Sequence, residues 1–335
     1  MKAAVIVRTG MLEDTPLEIA EFPEPTCRPG EVLIKIAACG VCHTEIDQIE
    51  GRLQPKRLPI IPGHQIVGVV ADCGPEVRNV HTGDRVGVTW LGRSCGKCRF
   101  CTSDRENLCD DTKWTGYDID GGYAEFTVAD AQFVHRIPDS FADAQAAPLL
   151  CAGVIGYRTV RIADIADGDV VGVFGFGSSA HIVVQILRAR YASSPVYVFT
   201  RGQAHKDMAI QLGAAWVGGP DELPPQQLDC AMDFTPVGTT VRRALEVSRK
   251  GAKVIINAIR KETPVPELDY GTHLWGERQI RSVANVTADD ARRFLPLAEE
   301  IGIETKVEEF AVEQANEALL RLKNGQINGA AVLVM

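Results

Sequence analysis

Cys95, Cys98, Cys101 and Cys109 fall within fifteen residues at the spacing C-x2-C-x2-C-x7-C. Thiols this dense are tied to one another or to a shared partner, and either arrangement fixes the local chain path more tightly than helix or strand propensity. Four thiolates around one tetrahedral zinc is the economical solution. Two disulfides are the rival. Gly96, Lys97, Arg99 and Phe100 leave little chain to separate two bridges, however, and short equal spacings suit shared coordination better than crosslinking. A zinc held by four cysteines has no place left for a reactant. This ion is therefore expected to be structural, with the chemistry elsewhere.

At 335 residues the chain exceeds the usual single-domain size, which predicts two domains, each with its own core. Hydrophobic residues at 45% and charged residues at 24%, without repeats or low-complexity tracts, describe an ordinary globular protein. A formal charge of −9 argues against binding to a phosphate backbone, so nucleic acid is not expected as a partner. The opening segment, Met1 to Val7 followed by Arg8, is too short an apolar run for a signal peptide and reads as a first β-strand. No stretch approaches the about 20 apolar residues of a membrane helix. Ten cysteines without a secretion signal fit a reducing interior, so the expected location is the cytoplasm, away from membranes.

The two halves have different rhythms. Up to about residue 150, short apolar runs at 31–37, 65–71, 84–88 and 123–128 alternate with Gly- and Pro-rich turns, which predicts a β-rich, partly barrel-like domain. From about residue 153, short apolar strands at 170–174, 196–200, 228–234 and 253–258 alternate with amphipathic stretches at 181–190, 205–212 and 239–249. That alternation predicts a doubly wound parallel sheet. The last part, with helices at 289–301 and 312–323 and a strand at 330–335, is expected to return to the first domain.

The strand at 170–174 runs into Gly175-Phe176-Gly177-Ser178-Ser179-Ala180 and then a helix, giving G-x-G-x-x-A in the strand-turn-helix setting of a dinucleotide site. Gly175 permits the tight turn, Gly177 lets a pyrophosphate approach the backbone, and Ala180 allows close helix-strand packing. At the end of the next strand, where an NAD site usually places a carboxylate for the adenosine ribose, stands Thr200-Arg201-Gly202. Without a carboxylate there is no repulsion against a 2′-phosphate, and Arg201 can pair with one, which favours NADP over NAD. The plainer alternative is a solvated Arg201, or one that stacks on adenine.

Cys39-Gly40-Val41-Cys42-His43-Thr44, Pro62-Gly63-His64-Gln65 and Leu150-Cys151-Ala152-Gly153 place thiol or imidazole beside glycine turns. With G-V-C-H-T, P-G-H-x-x-V-G, G-D-R-V-G, the four-cysteine lobe, G-G-Y-A-E-F, Cys151 and the cofactor turn in this order, nearly the whole chain resembles the zinc-dependent alcohol dehydrogenases of the medium-chain dehydrogenase/reductase superfamily. The resemblance implies an α/β protein. A β-rich, GroES-like catalytic domain is expected at 1–152 and 289–335, and a doubly wound Rossmann cofactor domain at 153–288. It implies two zinc ions per chain, the catalytic one on Cys42, His64 and Cys151, where a fourth position takes the oxygen of an alcohol or carbonyl substrate. It further implies that Thr44 takes the alcohol proton, that Glu45 orients His64, that His43 lies near the cofactor phosphates, and that Trp90 and Tyr117 line the substrate pocket. Core packing is the alternative for the two aromatics. A homodimer or homotetramer is implied as well. Cys39, three residues before Cys42, reads as a buried apolar residue, and Cys27, Cys73 and Cys230 as structural.

Three positions depart from the family pattern. Gln65 stands where a Glu commonly follows the histidine ligand, Asp47 where the last histidine of the proton relay is usual, and Ala330 where Arg often contacts the pyrophosphate. They motivate one competing expectation, a catalytically impaired cofactor-binding relative. A zinc-free quinone-reductase-like enzyme is the other, disfavoured because it has no need of Cys42, His64 and Cys151. A nucleic-acid-binding zinc module is disfavoured by the acidic charge.

Overall fold

The apolar runs of the N-terminal half become strands of one seven-stranded sheet in the computed structural model, which describes residues 1–335. The sheet runs in the order Val307–Ala311, Ala330–Val334, Glu31–Gly40, Gln65–Cys73, Arg85–Val88, Val134–Arg136, with Phe126–Asp130 also paired to Glu31–Gly40. Every pair is antiparallel except Val307–Ala311 with Ala330–Val334. Gly40 lies opposite Gln65. The chain leaving one strand toward Cys42 therefore runs beside the chain entering the next at His64, so strand register alone brings two distant segments together. Lys2–Ile6 pairs with Leu17–Glu21 in a separate ribbon. Ile34, Ile36, Ile66 and Tyr123 belong to the apolar core of this unit, which comprises Met1–Val154, Asn285–Glu300 and Glu304–Met335.

The strand expected at 123–128 begins only at Phe126. Before it, the amides of Gly121, Gly122 and Tyr123 donate to the carbonyls of Ile61, Gly63 and Pro62, so these residues clamp the approach to His64 instead of joining the sheet.

The other unit, Ile155–Ala284 with Ile301–Ile303, holds a six-stranded parallel sheet. Its order is Trp216–Gly218, Val196–Phe199, Val171–Phe174, Leu228–Asp233, Ser248–Ile256, Gln279–Ser282. Counted along the chain this is 3-2-1-4-5-6, the doubly wound arrangement in which strand order reverses beside the first strand. Phe174 and Phe199 stack at 4.1 Å within its core. Helices Ser178–Arg190, Gln203–Gln211 and Thr239–Glu246 fill the connections. The helix expected at 239–249 stops at Glu246 because Ser248 already pairs with Leu228, starting the next strand five residues before the apolar run at 253. The helix expected at 312–323 is divided: Val312–Gln314 forms a tight 3-10 turn before Ala315–Lys323. No helix in the structure is long and apolar enough to cross a membrane.

Candidate metal centres and dinucleotide turn

Cys42 caps the short helix His43–Ile49. Its sulfur accepts from the Glu45 backbone, while the Glu45 carboxylate accepts from the Cys42 amide at 2.9 Å. The other carboxylate oxygen lies 2.6 Å from His64 Nδ1, with both side chains almost wholly buried at 0% and 1% exposure. One carboxylate thus ties the two segments that strand register has aligned. Gly63 makes the approach possible. Its φ is +97°, and a Cβ there would fall 2.4 Å from the Tyr123 ring.

With Nδ1 committed to Glu45, the imidazole offers Nε2. That atom and the sulfurs of Cys42 and Cys151 are the donors of a three-residue cluster whose ligand atoms all lie within 4.8 Å of one another. The hydrogen bond from Cys151 holds the Cys42 thiol well below its ordinary range against the penalty of burial, with His64 assisting. Cys151, as the donor and partly desolvated, is pushed well above. Burial opposes protonation of His64, but Glu45 and Cys42 outweigh it and raise the imidazole to about 10. Two soft sulfurs and one imidazole, braced by a carboxylate behind the ring, form a donor set suited to zinc with a place open for a fourth ligand.

The four cysteines of the lobe also converge, with Sγ separations of 3.9 Å for Cys95 and Cys101 and 3.6 Å for Cys98 and Cys101. Thiolates about 2.3 Å from a tetrahedral zinc stand about 3.8 Å apart, whereas a disulfide requires about 2 Å. All ten cysteines are free. The disulfide alternative therefore falls, and the geometry fits one ion. Backbone N–H groups of Lys97 and Cys98 hold the Cys95 thiol down to about 6, favouring the thiolate that a metal needs.

Thr44 Oγ1 lies 3.6 Å from Cys42 Sγ and is buried. Trp90 packs edge-on against His64 at 4.8 Å, with Tyr117 at 6.1 Å on the same indole. Trp114 stacks on Trp90 at 5.9 Å and has no part in the sequence-based expectations, although its i, i+3 spacing to Tyr117 is visible there. One turn along the helix from Thr44, buried Gln48 donates to the Gly116 carbonyl at 3.2 Å, leaving its own carbonyl oxygen without a partner. Asp47 is buried and accepts from Arg52 Nε at 2.6 Å. His43 is exposed in the first turn of the helix. Cys39 is wholly buried in the apolar core.

In the parallel sheet Gly175 has φ +82°, and a Cβ there would meet Thr235 Cγ2 at 2.9 Å. At Gly177 a Cβ would meet nothing within 4 Å. Beyond it the helix Ser178–Arg190 begins with no side-chain cap, while Ala180 is wholly buried. An open, uncapped helix start after a glycine turn fits a pyrophosphate. The Gly175 amide donates to Phe199, one residue before Thr200, so the two predicted cofactor segments adjoin. Arg201 is exposed.

The family model for the alcohol dehydrogenase GroES-like domain matches residues 28–139. The chain is 42% identical over 340 residues to a probable alcohol dehydrogenase, AdhA, of Mycobacterium tuberculosis, covering 100% of this chain and 97% of the relative. It is 36% identical over 348 residues to an alcohol dehydrogenase of Geobacillus stearothermophilus, covering 99% of each. Among solved structures, a cobalt- and zinc-bound thermostable alcohol dehydrogenase of Pyrobaculum aerophilum superposes with a TM-score of 0.90 at 26% identity, covering 100% of this chain and 99% of the other.

Proposed function

The chain belongs to the zinc-dependent alcohol dehydrogenases of the medium-chain dehydrogenase/reductase superfamily, and on that premise we propose how its residues divide the work of an NAD(P)-linked oxidoreductase acting on CH–OH groups. The observation that carries the proposal is the donor set of half-buried Cys42 and Cys151 with buried His64, and Glu45 behind the ring. A zinc on that set would supply Lewis acidity toward an alcohol or carbonyl oxygen, and a bound nicotinamide would supply or accept the hydride.

An alcohol that becomes a carbonyl loses a hydride to the cofactor and a proton to the protein. Thr44 Oγ1, beside Cys42, receives that proton and releases its own toward solvent, since a hydroxyl donates and accepts at once. Asp47, three residues on, is the carboxylate that continues the relay, its position held by Arg52. Glu45 keeps a proton on His64 Nδ1 and so fixes Nε2 as the ligand atom. Trp90, with Tyr117 behind it, supplies an apolar wall that excludes water and accepts a small or benzylic substituent. Cys95, Cys98, Cys101 and Cys109 would hold a second, structural zinc.

Gly175, Gly177, Ser178, Ser179 and Ala180 form the pyrophosphate turn, and Arg201 selects NADP, because the adjacent Thr200 and Gly202 present no carboxylate to repel a 2′-phosphate. His43 is proposed as a phosphate contact from the first helical turn. The chain is proposed to assemble as a homodimer or homotetramer in the cytoplasm. Exposed Ile280 on the edge strand Gln279–Ser282, with exposed Tyr270 and Trp275 nearby, supports assembly between copies.

The test measures zinc per chain on freshly purified protein and, on the same sample, oxidation of a panel of primary alcohols with NADP and NAD. Two zincs with NADP-favoured turnover are expected. One zinc and no turnover with either cofactor would mean that Gln65 and Asp47 mark a disabled centre, and the impaired, cofactor-binding alternative would replace this one.

A further inference from the structure

Asp233 is the last residue of its strand and lies opposite Phe174, so it stands beside the glycine turn where the order of the parallel sheet reverses. Its side chain is fully buried, and it is ionically paired with Lys261 from the loop after the next strand. Lys261 Nζ donates to Asp233 Oδ2 and to the Thr235 carbonyl, each at 2.6 Å. The other carboxylate oxygen accepts from the Thr235 amide at 2.9 Å and hydroxyl at 2.7 Å. Thr235 in turn is the residue that a Cβ on Gly175 would strike. Two further bonds, Glu262 N to Pro236 O at 2.7 Å and Gly238 N to Thr263 Oγ1 at 2.8 Å, strap the Lys261 segment to the same loop.

Stability is a poor reason to bury such a pair, because apolar residues of similar volume generally do as well or better. Geometry offers another reason. An ammonium has three N–H donors, and here two are spent inside the protein. Lys261 retains 14% exposure, at the carboxyl end of parallel strands where a doubly wound sheet opens its ligand crevice.

We propose that Lys261 is a cofactor-binding residue whose third N–H donates to an oxygen of the bound dinucleotide, with Asp233 and Thr235 aiming it. The inference rests on the dinucleotide reading of the glycine turn. Because Lys261 is tied to the loop against Gly175, and not to Thr200-Arg201, the oxygen is one that NAD and NADP share.

NADPH and NADH are titrated into the zinc-loaded full chain by nucleotide fluorescence for wild type, Lys261→Met, the double variant Asp233→Asn/Lys261→Met and Arg201→Ala, with Tm recorded for each. The double variant avoids leaving a buried carboxylate unpaired. Both Lys261 variants are expected to weaken NADPH and NADH alike by about tenfold, the worth of one charge-assisted hydrogen bond. Arg201→Ala is expected to weaken NADPH alone. A double variant that binds both nucleotides as wild type does would overturn the inference while leaving the dinucleotide reading intact. A wild-type protein that binds neither nucleotide would overturn both.

Discussion

Glu45 makes two contacts at once, one to the Cys42 amide and one to His64 Nδ1. Glu45→Gln keeps the shape but offers one oxygen and one amide nitrogen, so one of the two N–H donors loses its acceptor. Loss of such a supporting contact costs about 10- to 100-fold in metal affinity. The variant is expected to release one zinc of two to a chelator faster than wild type, while the lobe zinc stays. Release of both at the wild-type rate would refute the role.

His135 presents a different residue-scale problem, being 3% exposed with neither ring nitrogen hydrogen-bonded. Burial, with Arg292 adding to it, depresses the imidazole from 6.5 to about 4. Below pH 6.5 the unfolded chain binds a proton that the folded chain refuses. Stability is therefore lost as pH falls from about 6.5 toward 4, by about 3 kcal/mol over the whole range. As pH falls from 7.5, the urea midpoint of wild type should drop relative to that of His135→Gln, and parallel curves would exclude His135 as the cause. Neither residue is legible in this role from sequence. Glu45 and His64 are 19 positions apart and meet only through strand register, and the burial of His135 follows from its place opposite Gly87 on a short strand.

At the scale of elements, the glycine turn separates folding from binding. Gly175→Ala puts a methyl 2.9 Å from Thr235 on a backbone at φ +82°, so both stability and cofactor affinity should fall. Gly177→Ala meets no protein atom within 4 Å. Its Tm should stay within about a degree or two of wild type, because surface changes away from special features lie within about 0.5 kcal/mol. Its KM for the dinucleotide should nonetheless rise about tenfold or more, because the methyl occupies the space a phosphate approaches. An unchanged KM would remove Gly177 from the site.

This turn is legible in the sequence because strand, glycines and helix are contiguous. So is the four-cysteine lobe, whose spacing excludes most other uses of its thiols. The edge strand Gln279–Ser282 carries no such signal, since all four residues are exposed and neither alternation nor an apolar run marks them. Ser248 is likewise hidden inside an apparent helix, because pairing with Leu228 overrides local periodicity. Trp114 escapes notice because stacking on Trp90 depends on the antiparallel pairing of Leu91 with Trp114, a tertiary fact.

For the whole molecule, the change of rhythm near residue 153 tells a β-rich unit from a doubly wound one, but the order 3-2-1-4-5-6 does not follow from rhythm. The same alternation of strands and helices permits other doubly wound orders, and the choice is made by which strands pair. The proposed centres differ in how much of that folded chain they require. The lobe gathers its four thiols within fifteen consecutive residues, whereas the other set draws on three segments from Cys42 to Cys151. Loop closure is cheap for the first and costs more for the second until the sheet has aligned its strands. If both centres take zinc as proposed, the lobe is expected to load first. In refolding with one equivalent of zinc per chain, the metal should be recovered on the lobe thiols, yielding a folded but inert population that a second equivalent activates without further change in far-ultraviolet circular dichroism. On that order of loading, the supply of zinc would set the active fraction without changing how much of the chain is folded.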